Sequence, residues 1–325
     1  MIKLGTVGSS KICDEFLSAA AKTGKYNHLA VYSRSYTTGA EFAKKHNVEN
    51  IYTNLNEMAL CGIDAVYIAS PNVFHYEQSK LFLERGINVI CEKPITTSYE
   101  QYCELLNLAK SKGLIYMEAI MSLHSPGYAK ILENLPKIGN IQLARLSFCK
   151  RSARLDDLYS GKKVNIFDMS LHAGCLNDIG VYCVYAACSL FGMPRSITAD
   201  ADFMNNGCDK SGYAIFKYNG FSAVLTYSKS GQCYGGSEII GDGGTITIDK
   251  ISQLCGISLA KGDNVHEISE QQSKVDIMSY EADKFADLVL NRDTDELEHY
   301  SKIGENVHKC MDIIKKEANI IYKGD

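Results

Sequence analysis

Lys93 stands between a carboxylate and a proline in Cys91-Glu92-Lys93-Pro94, at the end of a short apolar run. A lysine beside an acid at a strand end is a candidate proton donor or electrostatic stabiliser, because burial lowers its pKa towards the working range. A second constellation, Asp178-Ile179-Gly180-Val181-Tyr182, sets a carboxylate four residues ahead of a phenol. Residues so spaced share one face of a helix, so Asp178 and Tyr182 can point together at a bound substrate. Asp178 near the helix start also suits the helix dipole. The phenol can relay a proton to or from a carbonyl or alkoxide oxygen. The plainer alternatives are a surface lysine at 93, and a helix cap with a packing ring at 178 and 182.

Ser33-Arg34 follow the second apolar run, Leu29-Ala30-Val31-Tyr32. A nucleotide-binding βαβ unit usually places an acid there, to accept bonds from the ribose hydroxyl of NAD. A guanidinium suits a 2′-phosphate instead, so NADP is the expected cofactor and NAD the alternative. A solvated loop residue is the plain reading of Arg34. Gly8-Ser9-Ser10-Lys11-Ile12-Cys13 lies between the first strand and its helix. It keeps the first glycine of Gly-x-Gly-x-x-Gly/Ala and replaces the others with Ser10 and Cys13. The helix N-terminus there still attracts phosphate. Ser70-Pro71-Asn72-x-x-His75 ends another apolar strand, where ligands of open α/β sheets bind. Asn72 can bond a ribose or the nicotinamide, Pro71 fixes the loop's φ, and His75 is either a ligand-side group or a helix-start residue.

These residues need a scaffold that brings strand ends together. Apolar runs over 2–7, 29–32, 65–69, 88–91 and 114–119 alternate with helical patterns over 12–21, 38–46, 75–85 and 98–112. That alternation predicts right-handed βαβ crossovers and a doubly wound parallel sheet. The rhythm then changes. A helix near 128–135 and a strand over 141–150 precede a helix over 178–190. Strands follow over 197–203, 212–218, 221–229, 238–240 and 245–248, joined by turn signals such as Asn219-Gly220. This predicts a nucleotide-binding domain over 1–121. An α+β substrate and oligomerisation domain with a large open antiparallel sheet follows over 122–325, with closing helices near 280–291 and 302–321.

The 325 residues suffice for two domains, and a 46% hydrophobic content supplies a full core. A net charge of −4 with scattered basic residues argues against a nucleic-acid surface. No apolar run reaches the ~18 residues that span a bilayer. The chain enters a strand from Met1 without a signal peptide, so a cytoplasmic protein is expected. The 12 cysteines form no Cys-x-x-Cys pair and no matching Cys/His cluster, so no metal site is expected.

Together, Gly5-x-x-Gly8, Ser70-Pro71-Asn72-x-x-His75, Glu92-Lys93-Pro94 and Asp178-x-Gly180-x-Tyr182 resemble the glucose–fructose oxidoreductase/inositol dehydrogenase (Gfo/Idh/MocA) family, in order and over nearly the whole length. The resemblance implies hydride transfer between a nicotinamide cofactor and a sugar, polyol or related alcohol. It makes Lys93 the catalytic lysine, with Asp178 orienting it or the substrate. Ser9, Ser10, Lys11 and Ile12 would cradle the pyrophosphate, and Asn72, Glu92 and Lys93 would position the nicotinamide end. Many members carry histidine where this chain has Tyr182. Tyrosine there looks like the branch with glucose–fructose oxidoreductase and the dimeric dihydrodiol dehydrogenases, as does the NADP-leaning Ser33-Arg34 loop.

Two departures stand out: the missing second glycine, and a glycine-poor stretch, His172-Ala173-Gly174-Cys175-Leu176-Asn177, before Asp178. Arg154, Asp168 and His172 lie on the approach to the substrate pocket. A cofactor-sensing regulator without turnover is one rival reading, disfavoured by retention of Lys93 and Tyr182. An enzyme with tightly held NAD cycling within one turnover is another. The uncovered sheet face and the family together imply a homodimer or higher homo-oligomer.

Overall fold

Parallel strands covered by helices on both faces must be apolar throughout, and β4 below meets that demand along its whole length. A computed structural model describes residues 1–322. The N-terminal half runs β1 (Ile2–Val7), α1 (Lys11–Thr23), β2 (Tyr26–Tyr32), α2 (Tyr36–Lys45), β3 (Asn50–Tyr52), α3 (Leu55–Met58), β4 (Ala65–Ile68), α4 (His75–Glu84), β5 (Asn88–Glu92), α5 (Tyr99–Lys112) and β6 (Tyr116–Ala119). The strands form a parallel sheet in the order β3-β2-β1-β4-β5-β6. Strand order reverses between β1 and β4, and a crevice opens beyond the carboxyl ends of strands at such a point. Val66, Ile68, Val89 and Cys91 form the sheet's core with Phe82, Leu83, Leu105 and Leu106. The three-residue β3 was not among the predicted strands, because a segment so short shows no period.

The chain continues through α6 (Pro126–Asn134), β7 (Ile141–Cys149), α7 (Leu155–Tyr159) and α8 (Val181–Phe191). Then come β8 (Ser196–Phe203), β9 (Asp209–Lys217), β10 (Ser222–Ser228), β11 (Ser237–Gly241), β12 (Thr245–Lys250), β13 (Cys255–Lys261) and β14 (Asn264–Ser269). The last helices are α9 (Lys274–Asn291) and α10 (Thr294–Glu317). The second sheet has eight strands in the order β14-β13-β12-β11-β7-β10-β9-β8. It is mixed rather than purely antiparallel. β10 pairs parallel with β7, Ser222 opposite Leu143 through Ser228 opposite Cys149. The long connection between them supplies the crossover that a parallel pair needs. β13 and β14 were not predicted; β14 is mostly exposed, so it lacks the apolar alternation that marks a half-buried strand.

The chain divides into two compact units, and the division departs from the expected split of 1–121 and 122–325. Met1–Ile120 is joined by Lys274–Lys302, while Met121–Ser273 is joined by the chain from Ile303 onward. The return of α9 has a local cause. Its Ala282, Phe285 and Ala286 are fully buried, and Lys274 pairs with Glu15 of α1 at 2.6 Å. Lys22 pairs with Asp276, and Lys25 reaches both Asp283 and Asp287 at 2.7 Å.

Candidate active site

Within the first unit, four motif segments gather at the carboxyl ends of β1, β2, β4 and β5. Gly8 is the tight point. Its φ of +109° favours glycine, and a Cβ there would sit 2.8 Å from the carbonyl oxygen of Ala69. Its amide donates to the Tyr32 carbonyl at 3.1 Å, so the ends of β1 and β2 are held together. Ser10 is the N-cap of α1, in extended backbone, and its side chain makes no capping bond. Cys13, at the third-glycine position, is fully buried, and burial pushes its thiol up to about 12. It serves as a small packing residue between helix and strand.

Arg34 is exposed, and its guanidinium meets no carboxylate among the described residues. It projects between two fixed serines. The buried Ser33 donates its amide to the Tyr52 carbonyl at 3.0 Å, and the Ser35 hydroxyl caps α2 by accepting from the Thr38 amide. Neither of these groups adds negative charge, so the surroundings of Arg34 suit an anion.

At the end of β4, Ser70 donates to Gln78 Oε1 at 2.7 Å, and Asn72 opens a short 3-10 turn, half-exposed. His75 behaves differently from a ligand-side group. It is 1% exposed, its Nδ1 lies 2.8 Å from the Pro94 carbonyl oxygen, and its Nε2 lies 2.8 Å from that of Ser70. Burial lowers its pKa, against the pull of the two carbonyls. His75 opens α4 and is a brace that ties the Ser70 loop to the Lys93–Pro94 loop, which agrees with the helix-start alternative of the sequence analysis.

Glu92 Oε1 accepts from the fully buried Tyr67 hydroxyl at 2.7 Å, and Oε2 accepts from the Lys93 amide at 3.3 Å. Burial raises the Glu92 pKa, opposed chiefly by the Lys93 charge. The Lys93–Pro94 peptide is cis. Beyond it the Ile95 amide donates to the buried carboxylate of Glu118 at 3.0 Å. Lys93 itself is half-buried on this braced loop.

The second unit holds the other set. Asp178 does not start a regular helix. Leu176–Gly180 form a π-type turn that leads into α8, so Asp178 sits in a widened turn rather than at a cap. Such turns recur at functional sites. Tyr182 is half-exposed, its ring edge-on to Phe148 at 5.7 Å. Arg154 pairs with Asp157 at 2.9 Å on the surface. Asp168 is engaged by Ser170 and by Lys163 at 3.1 Å, which holds its carboxyl below the usual range. His172 is buried with φ +52°, stacked on Tyr322 at 4.9 Å. These three are thus bound up in local structure, and His172 is a turn residue of the core.

Two groups escaped the sequence reading. Lys229 is 2% exposed, and its ammonium lies 2.7 Å from Asp178 Oδ2. Asp209 is fully buried, and its Oδ2 accepts from the Leu176 amide at 2.7 Å, fixing the turn that carries Asp178. Gly174 makes that approach possible. Its φ is +150°, and a Cβ would fall 1.9 Å from Asp209 Oδ1. A signal for Lys229 was present in the strand period: Ala223, Leu225, Tyr227 and Lys229 fall on one buried face.

Burial pushes the Asp209 carboxyl up to about 6. A carboxyl raised above its unfolded value favours the folded state when protonated. The ionised group therefore costs stability above that pH, and the cost is relieved as pH falls from about 6 towards about 4. Asp209→Asn is expected to remove this component, and unfolding free energies of the two proteins across that window check it. Parallel curves would refute the assignment.

Two family models match the chain in order. One, described as an oxidoreductase family with an NAD-binding Rossmann fold, covers residues 2–120, and the Gfo/Idh/MocA C-terminal domain covers 135–247. The chain is 36% identical over 326 residues to scyllo-inositol 2-dehydrogenase (NADP(+)) IolU of Bacillus subtilis (strain 168), covering 100% of this chain and 99% of that protein. It is 29% identical over 254 residues to trans-1,2-dihydrobenzene-1,2-diol dehydrogenase of Xenopus tropicalis, covering 76% of this chain and 74% of that one. A crystal structure of KijD10, a 3-ketoreductase from Actinomadura kijaniata, in complex with NADP and TDP-benzene superposes with a TM-score of 0.87 at 22% identity over 98% of each chain, which shows a shared fold. No helix among the described residues is long and apolar enough to cross a membrane. With both domains matched in sequence order, the protein belongs to the Gfo/Idh/MocA family of NAD(P)-binding oxidoreductases that act on CH–OH groups.

Proposed function

We propose that this enzyme uses NADP(H) to interconvert a ring secondary alcohol of a cyclic polyol or sugar and the corresponding ketone. The observation that carries the cofactor half is Arg34, exposed at the end of β2 with no carboxylate partner among the described residues. A 2′-phosphate would be its bidentate partner, with Ser33 and Ser35 fixing the loop. Support for the substrate half comes from the full-length relative, whose name specifies an inositol and NADP. The dihydrodiol relative is named for a ring alcohol with an adjacent hydroxyl.

The nicotinamide supplies a hydride acceptor or donor when bound. The chain's own residues supply the rest. Gly8 lets the backbone turn beneath the pyrophosphate, and Ser9, Ser10, Lys11 and Ile12 hold it at the start of α1. Ser70, Pro71, Asn72 and Glu92 shape the nicotinamide end. Lys93 takes the hydroxyl proton of the substrate in oxidation and returns it in reduction. Within the second unit, Asp178 and Tyr182 supply a carboxylate and a phenol that can bond hydroxyls.

The test is a spectrophotometric panel of scyllo-inositol, myo-inositol, xylose, glucose and trans-1,2-cyclohexanediol with NADP+ and NAD+. A cyclic polyol is expected to reduce NADP+ with kcat/KM at least about tenfold above the NAD+ value, or ~1.4 kcal/mol of discrimination. Preference for NAD+, or NADPH binding with no turnover of any panel member, would overturn the reading.

A further inference from the structure

A thiol sealed in apolar surroundings is inert, whereas one exposed among hydrogen-bond donors becomes a thiolate nucleophile. Cys13, Cys91, Cys175, Cys183 and Cys208 are buried, and burial raises the pKa of each. Cys233 is the one exposed cysteine among the described residues, in the segment between β10 and β11. Its Sγ accepts from the Gly235 amide at 3.4 Å. That amide first, and the Ser147 hydroxyl second, hold the thiol below its usual range, against a smaller opposing effect of burial.

A second thiol lies next to it in the same unit. The Cys233 amide donates to the Cys149 carbonyl at 3.0 Å, which ties the segment to the end of β7. Chains joined by such a bond run ~5 Å apart, within the ~4.4–6.8 Å between Cα atoms that a disulfide spans. Ser147 and Cys149 share one face of β7 by the strand period, and Ser147 Oγ lies 3.6 Å from Cys149 Sγ. The Ser147 hydroxyl accepts from Thr226 Oγ1 at 3.0 Å, so its own proton is left for a sulfur. One hydroxyl thus serves both thiols, of which Cys233 is exposed and Cys149 half-buried.

We propose that Cys233 and Cys149 form a thiol-redox site, with Cys233 as the attacking thiolate, a hydroperoxide as the oxidant and Cys149 as the resolving thiol. The Cys233 sulfur attacks one peroxide oxygen. An S–O bond forms, the O–O bond breaks, and the departing alkoxide or hydroxide takes a proton from water. Cys233 is oxidised by two electrons to the sulfenic acid, and the peroxide is reduced to an alcohol or water. The Cys149 sulfur then attacks the Cys233 sulfur. An S–S bond forms, the S–O bond breaks, and the hydroxide leaves as water with the Cys149 proton. The product fastens the segment before β11 covalently to β7, and exchange with an external dithiol restores both thiols.

The test uses the full-length native protein and peptide mass spectrometry. Brief labelling with iodoacetamide is expected to modify Cys233 at least about tenfold faster than the half-buried Cys61 and Cys103. Treatment with hydrogen peroxide is expected to give a peptide linked through Cys149 and Cys233, lighter by two hydrogens and released by dithiothreitol. In Cys149→Ser the same treatment should stop at the sulfenic acid, trapped on Cys233 by dimedone. Labelling of Cys233 no faster than of Cys61 and Cys103 would overturn the proposal. So would peroxide treatment that leaves residues 149 and 233 unlinked. Both of these readouts come from the unsubstituted protein, so they stand even if Cys149→Ser fails to fold.

Discussion

Lys93→Ala is expected to lower kcat/KM by about a thousandfold or more while leaving NADPH affinity within about tenfold. The reason lies in what the substitution removes. In the proposed mechanism residue 93 carries the amine that handles the substrate proton, and a positioned acid or base contributes ~100- to 10,000-fold. Several bonds of the framework around it do not involve that amine. Glu92 is held by the Tyr67 hydroxyl at 2.7 Å and by the backbone amide of residue 93, which alanine retains. His75 grips the Pro94 carbonyl, and Glu118 accepts from the Ile95 amide. These bonds are expected to keep the loop's shape with the side chain gone. Glu92 loses a neighbouring positive charge, so its carboxyl should rise further, which an infrared carboxyl titration can follow. Loss of NADPH binding with the chemical step preserved would remove Lys93 from the catalytic role.

The second large effect concerns cofactor choice. Arg34→Ala is expected to lower kcat/KM with NADP+ by about 100-fold and with NAD+ by less than about threefold, because hydrogen bonds to charged groups contribute ~1.5–3 kcal/mol each. The asymmetry follows from position. Arg34 is exposed, and its neighbours Ser33 and Ser35 are fixed by backbone and capping bonds that do not involve its guanidinium. Removing the side chain leaves the loop and the ribose-facing surface intact for NAD+. An unchanged ratio of the two kcat/KM values would show that Arg34 is a solvated surface residue.

Reading the sequence succeeded where burial and motif fell on the same short segments. Ala65-Val66-Tyr67-Ile68 is apolar without interruption because helices cover both of its faces, and the residues just beyond it, Ser70 to His75, lie at the strand's carboxyl end. The same logic located Gly8 after β1, Arg34 after β2 and Lys93 after β5. It failed where a residue's type and its burial disagreed. The sequence left His75 open between a ligand-side group and a helix-start residue; in the structure it is buried, opens α4 and ties two loops together. A lysine ending a strand looks solvated, yet Lys229 is sealed against Phe167 and Asp178.

Local order along the chain settled the alternation of strands and helices, the parallel first sheet and the motif residues at its strand ends. Those features depend on periodicity and on neighbours a few residues away. Tertiary structure alone decided that Lys274–Lys302 returns to the first unit, that β10 lies parallel to β7, and that Asp178 meets Lys229 across 51 residues of chain. Each of these joins segments distant in sequence, and the free energy that selects them comes from shared burial and charge pairing, which leave no repeat in the order of residues.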